Sequence, residues 1–212
     1  MKASNYKYLI TIIFIFFGEQ IAAEDRIVIN FESPPSLNQE AQLIQNIKNY
    51  NSVQSIENYL TQQNWIENFL IKSSFFGKFH QIFIQSKKPK YIWKDQLYID
   101  SQVSTFAYDG GYPDLMRLDM PLEYLVFWIK AENQYITLFN DLSLTIRSVG
   151  FQPAVGWYLT TSDALRINLG DDLSNNTYQK LSLTLKYMFE NNLTPSIIDL
   201  RYKAGAALNY GK

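Results

Sequence analysis

No cysteine occurs in the 212 residues, and histidine occurs once, at His80. The first absence removes disulfides, thiol catalysis and thiolate metal sites together; it fits an oxidising compartment without requiring one. The second leaves imidazole chemistry a single group, set in an apparent strand between Phe79 and Gln81 with no partner at a spacing that supports base catalysis. His80 therefore reads as an outward or hydrogen-bonded sheet residue. An excess of one charge sign is also missing, since 19 Lys+Arg stand against 20 Asp+Glu. Without a basic face there is nothing to release counterions from a nucleic acid, and that class is set aside.

Long apolar runs are scarce as well. Tyr8 to Phe17 is apolar, but the run stops at Gly18-Glu19-Gln20 and resumes only over Ile21-Ala22-Ala23, short of the ~20 residues of a spanning helix. Lys2 and Lys7 precede it and Glu19, Glu24 and Asp25 follow it, which orients the amino terminus toward the cytoplasm. Two readings stay open. Residues 8–23 are a membrane anchor behind a cytoplasmic tail over 1–7, or they are a signal peptide cleaved before Glu24; hydropathy alone favours cleavage. Both send the bulk of the chain out of the cytoplasm.

The exported part mixes helices and strands in an α+β pattern. Arg26 to Phe31 reads as a strand, Pro34-Pro35 breaks it, and Ser36 with Gln39 makes a capping-box start for a helix reaching about Asn49. Asn51 is read as the cap of a second helix, in which Val53, Ile56, Tyr59 and Leu60 share a face. Phe69–Ser73 and Phe79–Gln85 are strands joined through Gly77. The order is strand, helix, helix, strand, strand. Lys87-Lys-Pro-Lys90 marks a boundary, giving one domain over 26–90 and another over 91–212.

In the second domain, Tyr91–Trp93 and Gln96–Asp100 read as strands, and Pro121 opens a helix with Leu122, Leu125, Val126 and Ile129 as its apolar stripe. The run Leu142–Val149 comes next. Trp157–Thr160 and Ala164–Leu169 form a hairpin, and Leu173 to Met188 a further helix. The chain then ends in a stretch, Ser196 to Tyr210, that alternates apolar with polar or small residues. As one terminal edge strand it would bury Ile198, Leu200, Tyr202, Ala204, Ala206, Leu208 and Tyr210 and leave a row of backbone groups for another strand to pair with.

Chemistry is hard to find elsewhere. No nucleophile elbow, phosphate loop or metalloprotease motif is present. Asp171-Asp172 lacks the alternating oxygens of a calcium loop and reads as a turn before a helix N-terminus. Asp109-Gly110-Gly111 reads as a turn, Trp65, Trp93, Trp128 and Trp157 as core anchors, and Lys87, Lys88 and Lys90 as a solvated loop. The expectation is a binding protein that is not an enzyme and uses neither cofactor nor metal.

Several landmarks, in order, resemble the bacterial cell-division FtsQ family over most of residues 26–210. They are Asn64-Trp65-Ile66, Ile82-Phe-Ile84 with Pro89 and Trp93, Tyr98-Ile-Asp100 through Phe106, Trp157-x-Leu with Ile167-Asn-Leu-Gly170, and Asp199-Leu-Arg-Tyr202 followed by Gly205-Ala-Ala207 and Tyr210. Asn64 stands in place of a usual proline, Phe75-Phe-Gly77 of a Trp-Pro turn, Ser86 of an acid and Val103 of a glycine; Asp171 stands where a basic residue is common.

The resemblance implies a single-pass inner-membrane protein of the division septum, with a retained N-terminal membrane helix and a periplasmic bulk. That bulk would be a POTRA domain (β-α-α-β-β) followed by a mixed β domain with a C-terminal edge strand. It implies a divisome scaffold that holds FtsB, within the FtsB/FtsL pair, by strand addition, while the POTRA domain and membrane segment contact other division proteins. The residues carried over for partner binding are Arg201, Tyr202, Ala204, Gly205, Ala206, Leu208 and Tyr210. A periplasmic POTRA-bearing factor for outer-membrane assembly or secretion is the alternative, although neither tandem POTRA units nor a terminal barrel is legible.

Overall fold

The structure is a computed structural model that describes residues 10–12, 26–74, 79–203 and 205–211. In chain order, β1 (Ile10–Ile12) and β2 (Arg26–Ser33) precede two helices, α1 (Leu37–Ile47) and α2 (Val53–Thr61), which are followed by β3 (Ile66–Ser73) and β4 (Phe79–Ser86). Four short strands, β5 (Pro89–Trp93), β6 (Leu97–Asp100), β7 (Thr105–Ala107) and β8 (Met116–Asp119), lead to α3 (Leu122–Asp141). Then come β9 (Ile146–Gln152), β10 (Gly156–Thr161), β11 (Arg166–Gly170), α4 (Asn175–Glu190), β12 (Ile197–Asp199) and β13 (Ala207–Asn209). The chain is α+β, and it divides into two compact units, one of residues 1–89 and 98–113, the other of 90–97 and 114–212.

The first unit follows the expected strand, helix, helix, strand, strand order. Ser36 caps α1 as its sequence predicts: its hydroxyl accepts the Gln39 N–H at 3.1 Å, and the Gln39 side chain accepts the Ser36 N–H at 3.2 Å. The two bonds satisfy two donors that a helix start leaves open. The cap of α2 is Ser52, whose hydroxyl accepts the Ser55 N–H at 3.2 Å, not Asn51, because Ser52 is the residue one step before helical geometry begins. β4 lies between β2, with which it runs parallel, and β3, with which it runs antiparallel. Ile29, Phe31, Ile82 and Ile84 alternate onto the sheet's buried face, while Leu43, Ile47, Ile56 and Leu60 are the buried stripes of α1 and α2, the two periodicities that make a two-layer core. β1 adds antiparallel to β2. Apart from those three residues, the expected membrane segment over 8–23 lies outside the described residues, and among the described helices none is long and apolar enough to cross a membrane.

Within the second unit the strands run β13-β12-β11-β10-β9-β8-β5. The pairs β5 with β8, β8 with β9 and β11 with β12 are parallel. The β9, β10, β11 meander is antiparallel, as is β12 with β13. The buried stripe of α3 is Leu125, Trp128, Ala131, Tyr135 and Leu138. Of the expected stripe only Leu125 is buried; Leu122, Val126 and Ile129 face solvent. The core face is rotated by about one position from the expected stripe, with Trp128 inside where Ile129 was expected and Phe127 left exposed. α4 buries Leu181, Leu185 and Met188 as expected.

Candidate functional site

The terminal alternating segment is not one strand. β12 pairs parallel with β11 and ends at Asp199; the chain then reverses, and β13 returns antiparallel on β12 with Ile197 opposite Asn209 and Asp199 opposite Ala207. Local chemistry explains the reversal. The Asp199 carboxylate turns back to accept the Arg201 N–H at 3.1 Å, a carboxylate-to-backbone turn of the kind that competes with a ladder. Gly205 then adopts φ +95°, a conformation that costs little only without a Cβ. Leu200 still pairs with β11, donating its N–H to the Asn168 carbonyl at 2.8 Å.

This geometry corrects the expected burial. Ile198 and Leu200 are in the core, but Tyr202 and Tyr210 are 58% and 56% exposed. Arg201, Tyr202 and Gly205 sit in the turn rather than on a strand. Ala206 and Leu208 are half-buried, the first just before β13 and the second at its centre, and Tyr210 follows it. Ala204 lies outside the described residues.

β13 closes the sheet, with β12 as its single hydrogen-bonded neighbour among the described residues. The Asn209 carbonyl faces β12, accepting the Ser196 N–H at 2.8 Å and the Ser196 hydroxyl at 3.1 Å. Peptide groups of successive residues in an antiparallel strand point to opposite sides, so those of Leu208 point outward, and an extended continuation turns Ala206 and Tyr210 the same way. What the arrangement can do is accept another strand.

Two of the charges beside it pair with each other. Arg201 grips Asp199 through Nε at 2.9 Å and Nη2 at 2.6 Å. That hydrogen bonding holds the Asp199 carboxyl below its ordinary value and raises the Arg201 guanidinium. Lys180, which sequence reasoning passed over, reaches from α4 to donate to the Leu200 carbonyl at 2.6 Å and to the Tyr202 carbonyl. Its only sequence signal is a place beside the buried stripe of α4. A groove of about 900 Å³ opens between α4 and the turn, lined among others by Leu169, Asp172, Leu183, Tyr202 and Lys203.

The other sequence candidates are structural. His80 is buried with Nδ1 2.8 Å from the Ser73 hydroxyl. Asp172 precedes α4 and accepts the Ser174 N–H at 3.0 Å and the Thr177 hydroxyl at 2.8 Å; the Ser174 and Thr177 bonds lower its pKa. Asp109 accepts the Tyr98 hydroxyl at 2.9 Å and the Gly111 N–H at 3.0 Å; burial, followed by that carboxylate, pushes the Tyr98 phenol up to about 12. Trp65, Trp128 and Trp157 are buried, and Trp93 donates its indole N–H to the Met120 carbonyl at 2.7 Å. Among the described residues no group of three or more acids or histidines could hold a metal ion.

No family model matches the chain. It is similar to the cell division protein FtsQ of Aliivibrio fischeri, at 20% identity over 166 residues, covering 74% of this chain and 62% of that protein. It is also similar to the cell division protein FtsQ of Acinetobacter oleivorans, at 25% identity over 104 residues, covering 47% of this chain and 35% of the relative. The chain thus spans less than two thirds of the length of the curated relatives it matches, and its likeness to these two cell division proteins is a distant one.

Proposed function

We propose that the chain is a non-enzymatic scaffold of the bacterial division machinery, anchored in the inner membrane with its bulk in the periplasm and enriched at the septum. On this reading residues 26–90 act as a POTRA domain that contacts other division proteins, and residues 91–212 form the FtsQ-type β domain. That domain holds FtsB, within the FtsB/FtsL pair, as a strand added to the outer side of β13. The single observation that carries the reading is the end of the sheet: β13 has one paired side, and the peptide groups of Leu208 face away from it. The distant likeness to two FtsQ proteins supplies the process.

Roles follow from position. Leu208, flanked by Ala206 and Tyr210, offers the backbone ladder. Tyr202 and Tyr210 are exposed aromatic contacts at the two ends of the return, and Arg201 meets an acidic partner side chain by exchanging it for Asp199. Gly205 keeps the turn slim beside an incoming chain. A fluorescent fusion of the full chain tests the cellular part: it collects at midcell in dividing cells, and a signal that stays diffuse around the envelope overturns the reading.

A further inference from the structure

Lys180 stands at a junction that the function above does not by itself explain. It is carried by α4, next to the fully buried Leu181, so its backbone is fixed by the core. Its side chain spans to two carbonyls, Leu200 and Tyr202, that flank Arg201 in the turn. An ammonium has three donors and no acceptor, so two converging carbonyl oxygens form a fitting receptor for it, and charge-assisted bonds of this kind are stronger than neutral ones.

The turn has few other holds. Gly205 has no heavy atom within 4 Å of where a Cβ would stand, and the groove of about 900 Å³ opens between the turn and α4. β13 meets β12 over three residue pairs, and a short two-stranded ribbon is marginal without further support. The Asp199 and Arg201 contacts tie the turn to itself, whereas Lys180 ties it to a helix of the core.

We propose that Lys180 is a positioning residue for the terminal edge: by clamping the Leu200 and Tyr202 carbonyls to α4, it fixes where β13 returns and keeps its outer backbone presented for a partner strand. This rests on the docking role assigned to β13, but the clamp is measurable without a partner. In the Lys180→Met variant the stem remains and the donors go. The loss of two charge-assisted bonds speeds hydrogen exchange of the β13 amides about tenfold or more, while amides of α4 around Leu181 and Leu185 keep their wild-type rates. Lys180→Arg, which restores a cation and donors, recovers most of the protection.

Unchanged β13 exchange in a Lys180→Met variant with wild-type α4 protection overturns the clamp. Should α4 loosen in the methionine variant, the arginine variant decides: protection recovered there upholds the clamp, and protection lost equally in both variants overturns it. Co-purification of the same full-length variants with FtsB and FtsL separates the two ideas. Faster β13 exchange with weaker capture supports clamp and docking together. Faster exchange with undiminished capture leaves the clamp standing and removes β13 as the docking edge.

Discussion

Asp199 and Arg201 grip each other across a single intervening residue, with Nε 2.9 Å from Oδ1 and Nη2 2.6 Å from Oδ2. The arginine assigned to a partner's acid therefore already holds one of its own. A partner carboxylate has to displace an intramolecular competitor, which makes the contact selective for a well-placed acid rather than for negative charge in general.

The same pair sets a pH dependence. Hydrogen bonding from Arg201 lowers the Asp199 pKa below its ordinary 3.8. A depressed folded-state pKa contributes stability that is fully present above 3.8 and is lost as pH falls through the lowered value. A carboxyl-detected NMR titration is expected to give Asp199 a midpoint below 3.8, with the turn loosening only in that acid range. A midpoint at or above the ordinary value contradicts the pairing.

Val103 occupies a left-handed position, φ +65°, in the turn after β6. The Asp100 carboxylate holds that turn by accepting the Gln102 N–H at 2.9 Å and the Ser104 N–H at 2.8 Å. A β-branched residue at positive φ is strained, so Val103→Gly is expected to raise stability by about 1 kcal/mol, after the entropy that glycine adds to the unfolded chain. Urea unfolding measures it, and a destabilised glycine variant refutes the strain.

Gly150 on β9 lies against the Tyr158 ring, where an added Cβ would overlap ring carbons and the hydroxyl. That hydroxyl donates to Asp119 at 2.5 Å. Gly150→Ala is therefore expected to cost about 1–3 kcal/mol through overpacking, with the tyrosine displaced from Asp119. Thermal unfolding at wild-type temperature would show that the ring has room to move.

Tyr135 and Tyr98 are both fully buried tyrosines, but only Tyr98 has a carboxylate partner, and the Tyr135 hydroxyl has none among the described residues. Tyr98→Phe loses the bond to Asp109 and is expected to destabilise by roughly 1 kcal/mol, whereas Tyr135→Phe removes an unpaired buried hydroxyl and is neutral or stabilising. Matched denaturant curves for the two variants test the contrast, which fails if Tyr135→Phe is the more damaging.

Local signals carried the first unit. The Ser36 and Gln39 capping box, the apolar stripes of the two helices and the β-rich runs each depend on neighbours in sequence, and the structure has the box, the helices and the strands there. The end of the chain escaped the same reasoning because alternation is blind to a reversal made of small and polar residues. Positions 198, 200, 206 and 208 keep the period while the backbone turns between them, and the exposed Tyr202 and Tyr210 continue it in appearance only. In α3 the buried stripe runs through Leu125, Trp128, Ala131, Tyr135 and Leu138, so an apolar pattern read from Leu122, Val126 and Ile129 is rotated off the core face. Lys180 was invisible because its partners are carbonyls twenty and twenty-two residues away, and a backbone acceptor has no residue-type signature.

On the proposed function, a partner strand pairs with the outer backbone of the terminal hairpin. Ala206→Pro tests it, because alternation turns the Ala206 N–H outward, where proline is tolerated in an edge strand and a donor is lost with little change of volume. Full-length wild type and variant, each co-expressed with FtsB and FtsL, are compared by co-purification, with thermal unfolding run in parallel. Capture is expected to fall about tenfold or more while the unfolding temperature holds, as for loss of a backbone bond and displacement of its neighbours. Equal capture by a folded Ala206→Pro variant would contradict strand addition at this edge.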